Sequence, residues 1–315
     1  MEKILIPLDG SAFAEQAVET ARAIAHRTGA AIEFVSVQPP AVPPSRVSGA
    51  PPLDPRFDAE LRRSLQAYLD RIVEAERARS TFSVSGRLRE GGADREIVAQ
   101  AEESSADLIA MTTHGRGGLG LWLGSVADRV IRAAHVPVLL VRQDESGEGR
   151  EVHLRRVVIG AAGADADDRI VTAVEDVAGL ADVEFTLVHV VDRLPMIPAV
   201  DPAVGPPPDE LAGLPTTRDQ QRWDDAERYL EWIAGPLRAR GATVATRVVR
   251  SASAPGAIVD AAVRANADLI AVGTAARAPV ARWFLGSTSD KVVRSASCSV
   301  LVCPPEREAG EELRL

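Results

Sequence analysis

Short apolar runs alternate along the chain with longer stretches whose apolar residues recur at helical spacing. Lys3–Leu8 reads as a strand, and Ala14–Ala25 carries its apolar positions three and four apart, as a helix does. Ile32–Val37 is a second strand. Ala59–Ala78 reads as a helix with Leu61, Leu65, Leu69, Ile72 and Val73 along one stripe. Phe82–Leu88 alternates as a strand, Asp94–Glu103 reads as a helix, and Leu108–Thr112 is again a strand. Ser125–Ala134 and Pro137–Val141 close the series as helix and strand. Such alternation builds βαβ units, in which a parallel sheet is covered on both faces.

The plan is written twice. Ala106-Asp107-Leu108-Ile109-Ala110 recurs as Ala267-Asp268-Leu269-Ile270-Ala271, and Tyr68-Leu69 recurs as Tyr229-Leu230. Gly124-Ser125 recurs as Gly286-Ser287, and Val138-Leu139 as Val300-Leu301. Val35 matches Val188 at a smaller offset, so the second copy holds extra residues between its second strand and second helix. In both copies that stretch is Pro-rich, Pro39–Pro55 and Pro195–Pro215, which a sheet or helix interior would not accept. Each is expected to form a long extended loop, ordered in part as a flap over its domain. The expected domains are 1–143 and 155–305, with an acidic linker over 144–154 and a polar tail over 306–315.

Composition narrows the function classes. Of 315 residues, 46% are hydrophobic and 26% charged, as in soluble globular chains, while aromatics at 4% leave the core to Val, Leu, Ile and Ala. The formal charge of −9 argues against nucleic acid or acidic lipid as a partner. It does not argue against a small anion, which backbone amides and a helix dipole can hold. No apolar run is long enough to span a membrane, and none resembles a leader segment, so a cytoplasmic protein is expected. The two cysteines, Cys298 and Cys303, lie five apart in a strand-like run and would face opposite ways, as reduced buried thiols. They form neither a disulfide nor a metal cage.

The stretch most suggestive of chemistry begins at Met111. It leaves an apolar strand, runs through Thr112-Thr113-His114-Gly115-Arg116-Gly117-Gly118-Leu119-Gly120, and reaches Gly124-Ser125 at the start of a helix. Glycines leave amides bare, consecutive amides form a concave anion nest, and the helix N-terminus adds partial positive charge. Tight turns need glycine without any ligand too, and Ser125 with Asp128 reads as a capping box of purely structural use. A phosphate-binding loop of the Gly-Lys-Ser/Thr type is absent, as is a dinucleotide fingerprint in the first strand–helix turn.

Thr112 to Gly118, Gly124-Ser125-Val126-Ala127-Asp128-Arg129-Val130, and the opening Ile4-Leu5-Ile6-Pro7-Leu8-Asp9-Gly10-Ser11 together resemble the universal stress protein family. The resemblance covers nearly the whole chain as two tandem copies. It implies an α/β fold of two tandem adenine-nucleotide α-hydrolase-like, Rossmann-like domains, each a five-stranded parallel sheet with helices on both faces. It further implies an ATP-binding stress-response or regulatory protein with ATP, with or without Mg2+, as ligand, and no catalytic residue or protein-bound metal. A scaffold that holds no nucleotide and a slow ATPase remain alternatives.

Carried over from the family pattern, Asp9 would hydrogen-bond the adenosine part, Val37 would pack beside the base, and Pro7 would belong to the same nucleotide site. Met111 and Thr112 would line the end of the fourth strand. His114, Gly115 and Arg116 would approach ribose and phosphates, and Gly124, Ser125 and Val126 would donate to phosphates. The first copy departs from the pattern with Thr112 in place of a glycine and with a spacing one residue short between Gly115 and Gly124. The second copy keeps Gly273 and Gly286-Ser287 but has Ala276 for a motif glycine and Ala162 where the first has Asp9. The first copy is therefore expected to bind ATP and the second to bind weakly or to scaffold. The last strands, Val136–Val141 and Ser299–Cys303, are expected to pair the two copies within one chain, with a homodimer also open.

Overall fold

A computed structural model describes residues 1–40, 55–112, 123–142, 154–161, 164–192, 217–274 and 286–305. The first half contains β1 (Lys3–Pro7), α1 (Ala12–Thr28), β2 (Ala31–Gln38), α2 (Pro55–Arg77) and β3 (Val84–Glu90). It continues with α3 (Ala93–Glu103), β4 (Leu108–Thr112), α4 (Ser125–Ala133) and β5 (Val138–Val141). The second half repeats this order as β6 (Arg156–Ala161), α5 (Ala164–Ala178), β7 (Glu184–Asp192), α6 (Thr217–Ala239) and β8 (Thr243–Ser251). It ends with α7 (Ala254–Arg264), β9 (Leu269–Gly273), α8 (Ser287–Ser295) and β10 (Ser299–Cys303).

The strands form a single sheet in the order β3-β2-β1-β4-β5-β10-β9-β6-β7-β8. Neighbours within each half run parallel; β5 and β10, which join the halves, run antiparallel with Leu139 opposite Leu301. The expected α/β architecture of two tandem five-stranded units is thus present. The strand expected at Phe82–Leu88 lies two residues later, and α1 begins two residues earlier than its periodicity suggests, at the residue after the Ser11 cap. The Pro-rich flaps, the acidic linker and the polar tail fall almost wholly outside the described residues.

Each strand alternates its side chains between two apolar layers. Ile4, Ile6, Phe34, Leu108 and Ala110 pack with α1 and α2 on one face, while Leu5, Val35, Ile109 and Met111 pack with α3 and α4 on the other. The second half does the same with Val157, Ile159 and Phe185 on one side and Val158, Val188 and Ile270 on the other. Cys303 is buried in the first layer and Cys298 packs against the second, so the two free thiols do face apart. Burial pushes Cys298 up to about 11 and Cys303 up to about 12, which keeps both protonated at neutral pH.

Capping residues set the helix ends. The Ser11 side chain accepts a hydrogen bond from the Ala14 amide, and Gly29 ends α1 at φ 76°, a left-handed geometry suited to glycine. The Ala-Asp-Leu-Ile-Ala repeat has a physical reason. The Asp107 carboxylate accepts hydrogen bonds from the Glu2 and Lys3 amides, and the Asp107 amide donates to the Lys3 carbonyl. Asp268 binds the Arg155 and Arg156 amides in the same way. In both halves the carboxylate clamps the start of the central strand to the strand beside it.

Leu301 is fully buried, and both halves contribute to the layer around it. Leu301→Ala is expected to cost about 2–5 kcal/mol in urea unfolding, the range for a buried leucine truncated in a close-packed core. A loss below 1 kcal/mol would contradict the packing described.

Candidate functional site

The central strand β1 lies between β2 and β4, and the chain leaves it towards both sides of the sheet. At such a switch point the connections diverge and leave a crevice beyond the carboxyl ends of the strands. Pro7 is buried at the end of β1, with Val35 of β2 opposite it. Val37 continues β2 two residues further and packs against the layer that contains Met111. Met111 is 7% exposed, and Val126 of α4 joins the same layer. Pro7, Val37, Met111 and Val126 therefore converge on the α4 side of the crevice. Thr112, also buried, follows Met111 in the strand, so alternation sends its side chain to the opposite face and presents its backbone to the crevice.

Asp9 stands exposed just past β1. Its Oδ1 accepts from the Ser11 amide at 3.0 Å and from Ser11 Oγ at 2.6 Å. Ser11 in turn caps α1, so Asp9 braces the cap rather than serving as it. Gly10 between them has φ 84°, a conformation that an L side chain resists. The turn holds the Asp9 carboxylate at the crevice mouth, and its second oxygen, Oδ2, has no role in these bonds.

The start of α4 differs from the expected capping box. The N-cap is Gly124 at φ −58° and ψ 145°, with no side-chain cap hydrogen bond, and Ser125 is already the first helical residue. Asp128 does not turn back to the N-terminus; its carboxylate pairs with Arg132 at 2.9 Å. A box requires the hydroxyl on the cap residue itself, and a glycine has none. Among the described residues no side-chain cap bond serves the first turn of α4, the end where the helix dipole favours an anion. His114, Gly115 and Arg116 lie outside the described residues.

The second half differs at the matching place. Gly286 repeats the Gly124 geometry at φ −53° and ψ 144°. However, twenty-six positions separate Lys3 from Gly29, and only twenty-three separate their counterparts Arg156 and Gly179, which make the same backbone bonds. The shortening falls between the end of β6 and the end of α5, a stretch that includes residues outside the described ones. Ser289 Oγ, standing where the first half has Ala127, donates to the Gly273 carbonyl at 2.6 Å and ties α8 to the end of β9. Neither difference was anticipated; the first was visible as a change of repeat offset between β6 and α5. Among the described residues no group of three or more His, Cys, Asp or Glu is gathered as metal ligands would be, and no helix is long and apolar enough to cross a membrane.

Known proteins resemble this chain at the level of family and fold. A family model described as the universal stress protein family matches residues 1–142 and again 153–304. A universal stress protein of Methanocaldococcus jannaschii is 36% identical over 146 residues, 45% of this chain and 82% of that one. One from Thermus aquaticus is 34% identical over 140 residues, 44% of this chain and 97% of that one. The crystal structure of a universal stress protein from Archaeoglobus fulgidus superposes with a TM-score of 0.70 at 20% identity, covering 96% of this chain and 98% of its own.

The bracing role of Asp9 can be measured without a ligand. Asp9→Ala is expected to lower stability by about 1 kcal/mol, the usual worth of a helix cap that is weakened. Chemical unfolding of the two proteins checks this, and an unchanged midpoint would mean that Ser11 caps α1 unaided.

Proposed function

The chain belongs to the universal stress protein family, and on that premise we propose that its first domain, residues 1–143, is an ATP receptor with a regulatory role in the stress response. The observation that carries the reading is the Gly124 cap of α4, which has no side-chain cap hydrogen bond, together with the Asp9 turn that follows β1. Uncapped helical amides supply donors for phosphate oxygens, and the apolar patch of Pro7, Val37 and Met111 supplies a face for a base. Gly124, Ser125 and Val126 would hold the phosphates through their amides. Asp9 would accept from the adenosine, with the Thr112 backbone closing the strand end. His114, Gly115 and Arg116 would complete the phosphate side, as the family pattern suggests. Mg2+, where present, would arrive on the triphosphate and be held by its oxygens and water.

The proposed role is binding rather than turnover. Asp9, the carboxylate at the crevice, is already engaged as an acceptor by Ser11, which suits a ligand contact better than a general base. The second domain, residues 155–305, would act as a scaffold, because its shortened β6–α5 turn supplies no counterpart to Asp9. Its last strand pairs with that of the first domain, which gives the chain an internal dimer of domains; a homodimer would then use another surface. Reduced, unreactive thiols accord with a cytoplasmic setting.

Calorimetric titration tests the reading on the full chain, with one ATP expected per chain. Gly124→Val should abolish binding, because the branched side chain fills the phosphate site while the backbone angles at Gly124 remain ones that valine adopts readily. Gly286→Val should leave the affinity unchanged. Undiminished binding in the Gly124 variant would remove the first domain as the receptor.

A further inference from the structure

A second cleft, of about 460 Å³, lies where the two halves meet, on the α5 side of the sheet. One helical face of α5 lines it through Arg169, Thr172, Ala173, Asp176 and Val177. The opposite wall is the amino end of β4 and β5, with Leu108, Val136 and Pro137, and the end of β10 contributes Cys303 and Pro304. The lining is thus largely apolar, apart from a few charged groups. Its size falls within the range of small-molecule sites.

Most charged groups of the lining have partners close by. Asp107 spends its carboxylate on the amides of Glu2 and Lys3, and Asp176 faces the amino group of Met1 at 3.6 Å. His135 lies 3.5 Å from Glu102. Arg169 differs: its Nε is shielded from solvent and has no hydrogen-bond partner among the described residues. Arg169 and the buried Cys303 both line the cleft. A buried donor with no acceptor costs about 1–3 kcal/mol and calls for an explanation within the structure. A guanidinium presents a planar fork of donors that matches a carboxylate.

We propose that this interdomain cleft binds a small amphipathic monocarboxylate, with its carboxylate on Arg169 and its apolar body against Leu108, Val136, Ala173 and Val177. The occupant must carry one anionic group, because the two carboxylates of the lining already have partners, and an apolar body, because the remaining wall offers little else. Both domains contribute to the walls, so an occupant would stabilise the pairing of the halves. The site lies across the sheet from the face that carries α4 and α8, and it stands whether or not the Gly124 crevice takes a nucleotide.

Octanoate is the probe, with 1-octanol as the uncharged chain of equal length, both titrated into the full-length protein by calorimetry and by thermal unfolding. Octanoate is expected to bind at least tenfold more tightly than octanol and to raise the melting temperature. Arg169→Met, which keeps the side-chain bulk and removes the charge, should weaken octanoate at least tenfold, and Arg169→Lys should restore part of the loss. Equal affinity for octanoate and octanol, no binding of octanoate, or undiminished binding in a folded Arg169→Met would each overturn the proposal. Should that variant fail to fold, the octanoate–octanol comparison on the natural sequence decides by itself.

Discussion

The alignment of β1 with β4 is the constraint from which the rest of each half follows. A parallel pair has no turn to set its register, since a helical crossover joins the strands. Here the register is set by chemistry at the amino end: Asp107 accepts from the Glu2 and Lys3 amides, and Lys3 Nζ donates to the Ser104 carbonyl at 2.6 Å. With that end clamped, Ile4 meets Leu108, and the carboxyl ends of the two strands finish side by side. The Asp9 turn and Met111, far apart in sequence, therefore come to the same end of two adjacent strands.

The seam between the halves rests on two kinds of interaction of unequal weight. Leu139, Leu140, Val300 and Leu301 are buried there, and each large side chain so placed contributes roughly 1.5–3 kcal/mol. Across α4 and α8, Arg132 pairs with Asp128 and reaches Asp290 at 3.4 Å, while Arg294 pairs with Asp290 and reaches Asp128 at 3.4 Å. These groups keep between a fifth and a third of their side-chain surface in contact with solvent, where an ion pair is worth about 1 kcal/mol or less. Apolar burial therefore holds the halves together, and the reciprocal ion pairs fix which way they face. The antiparallel pairing also covers a strand edge on each half that would otherwise be open to other chains.

Much of the fold was legible because both copies carry the same apolar periods, and because Ala-Asp-Leu-Ile-Ala and Gly-Ser recur at fixed offsets. The reason for the repeated aspartate was not legible, since its partners are backbone amides that have no sequence signature. No capping box forms at Ser125, because the cap falls one residue earlier: pattern alone cannot tell whether the glycine or the serine takes it, and the extended backbone at Gly124 decides it. The start of β3 was read two residues early because Phe82, an apolar residue packed against the core from outside the strand, extends the alternation. The cleft around Arg169 could not be seen at all, because α5, β4 and β10 meet there only after both halves have folded and paired.

The nucleotide assignment rests on the bare start of α4 being open to a triphosphate, and a crystal structure grown with excess ATP tests that most directly. Density is expected for phosphates at the Gly124, Ser125 and Val126 amides, with the base beside Val37, and none at the matching place beside Gly286. Density for the Gly124 crevice closed on itself, or ATP bound in the second half instead, would contradict it.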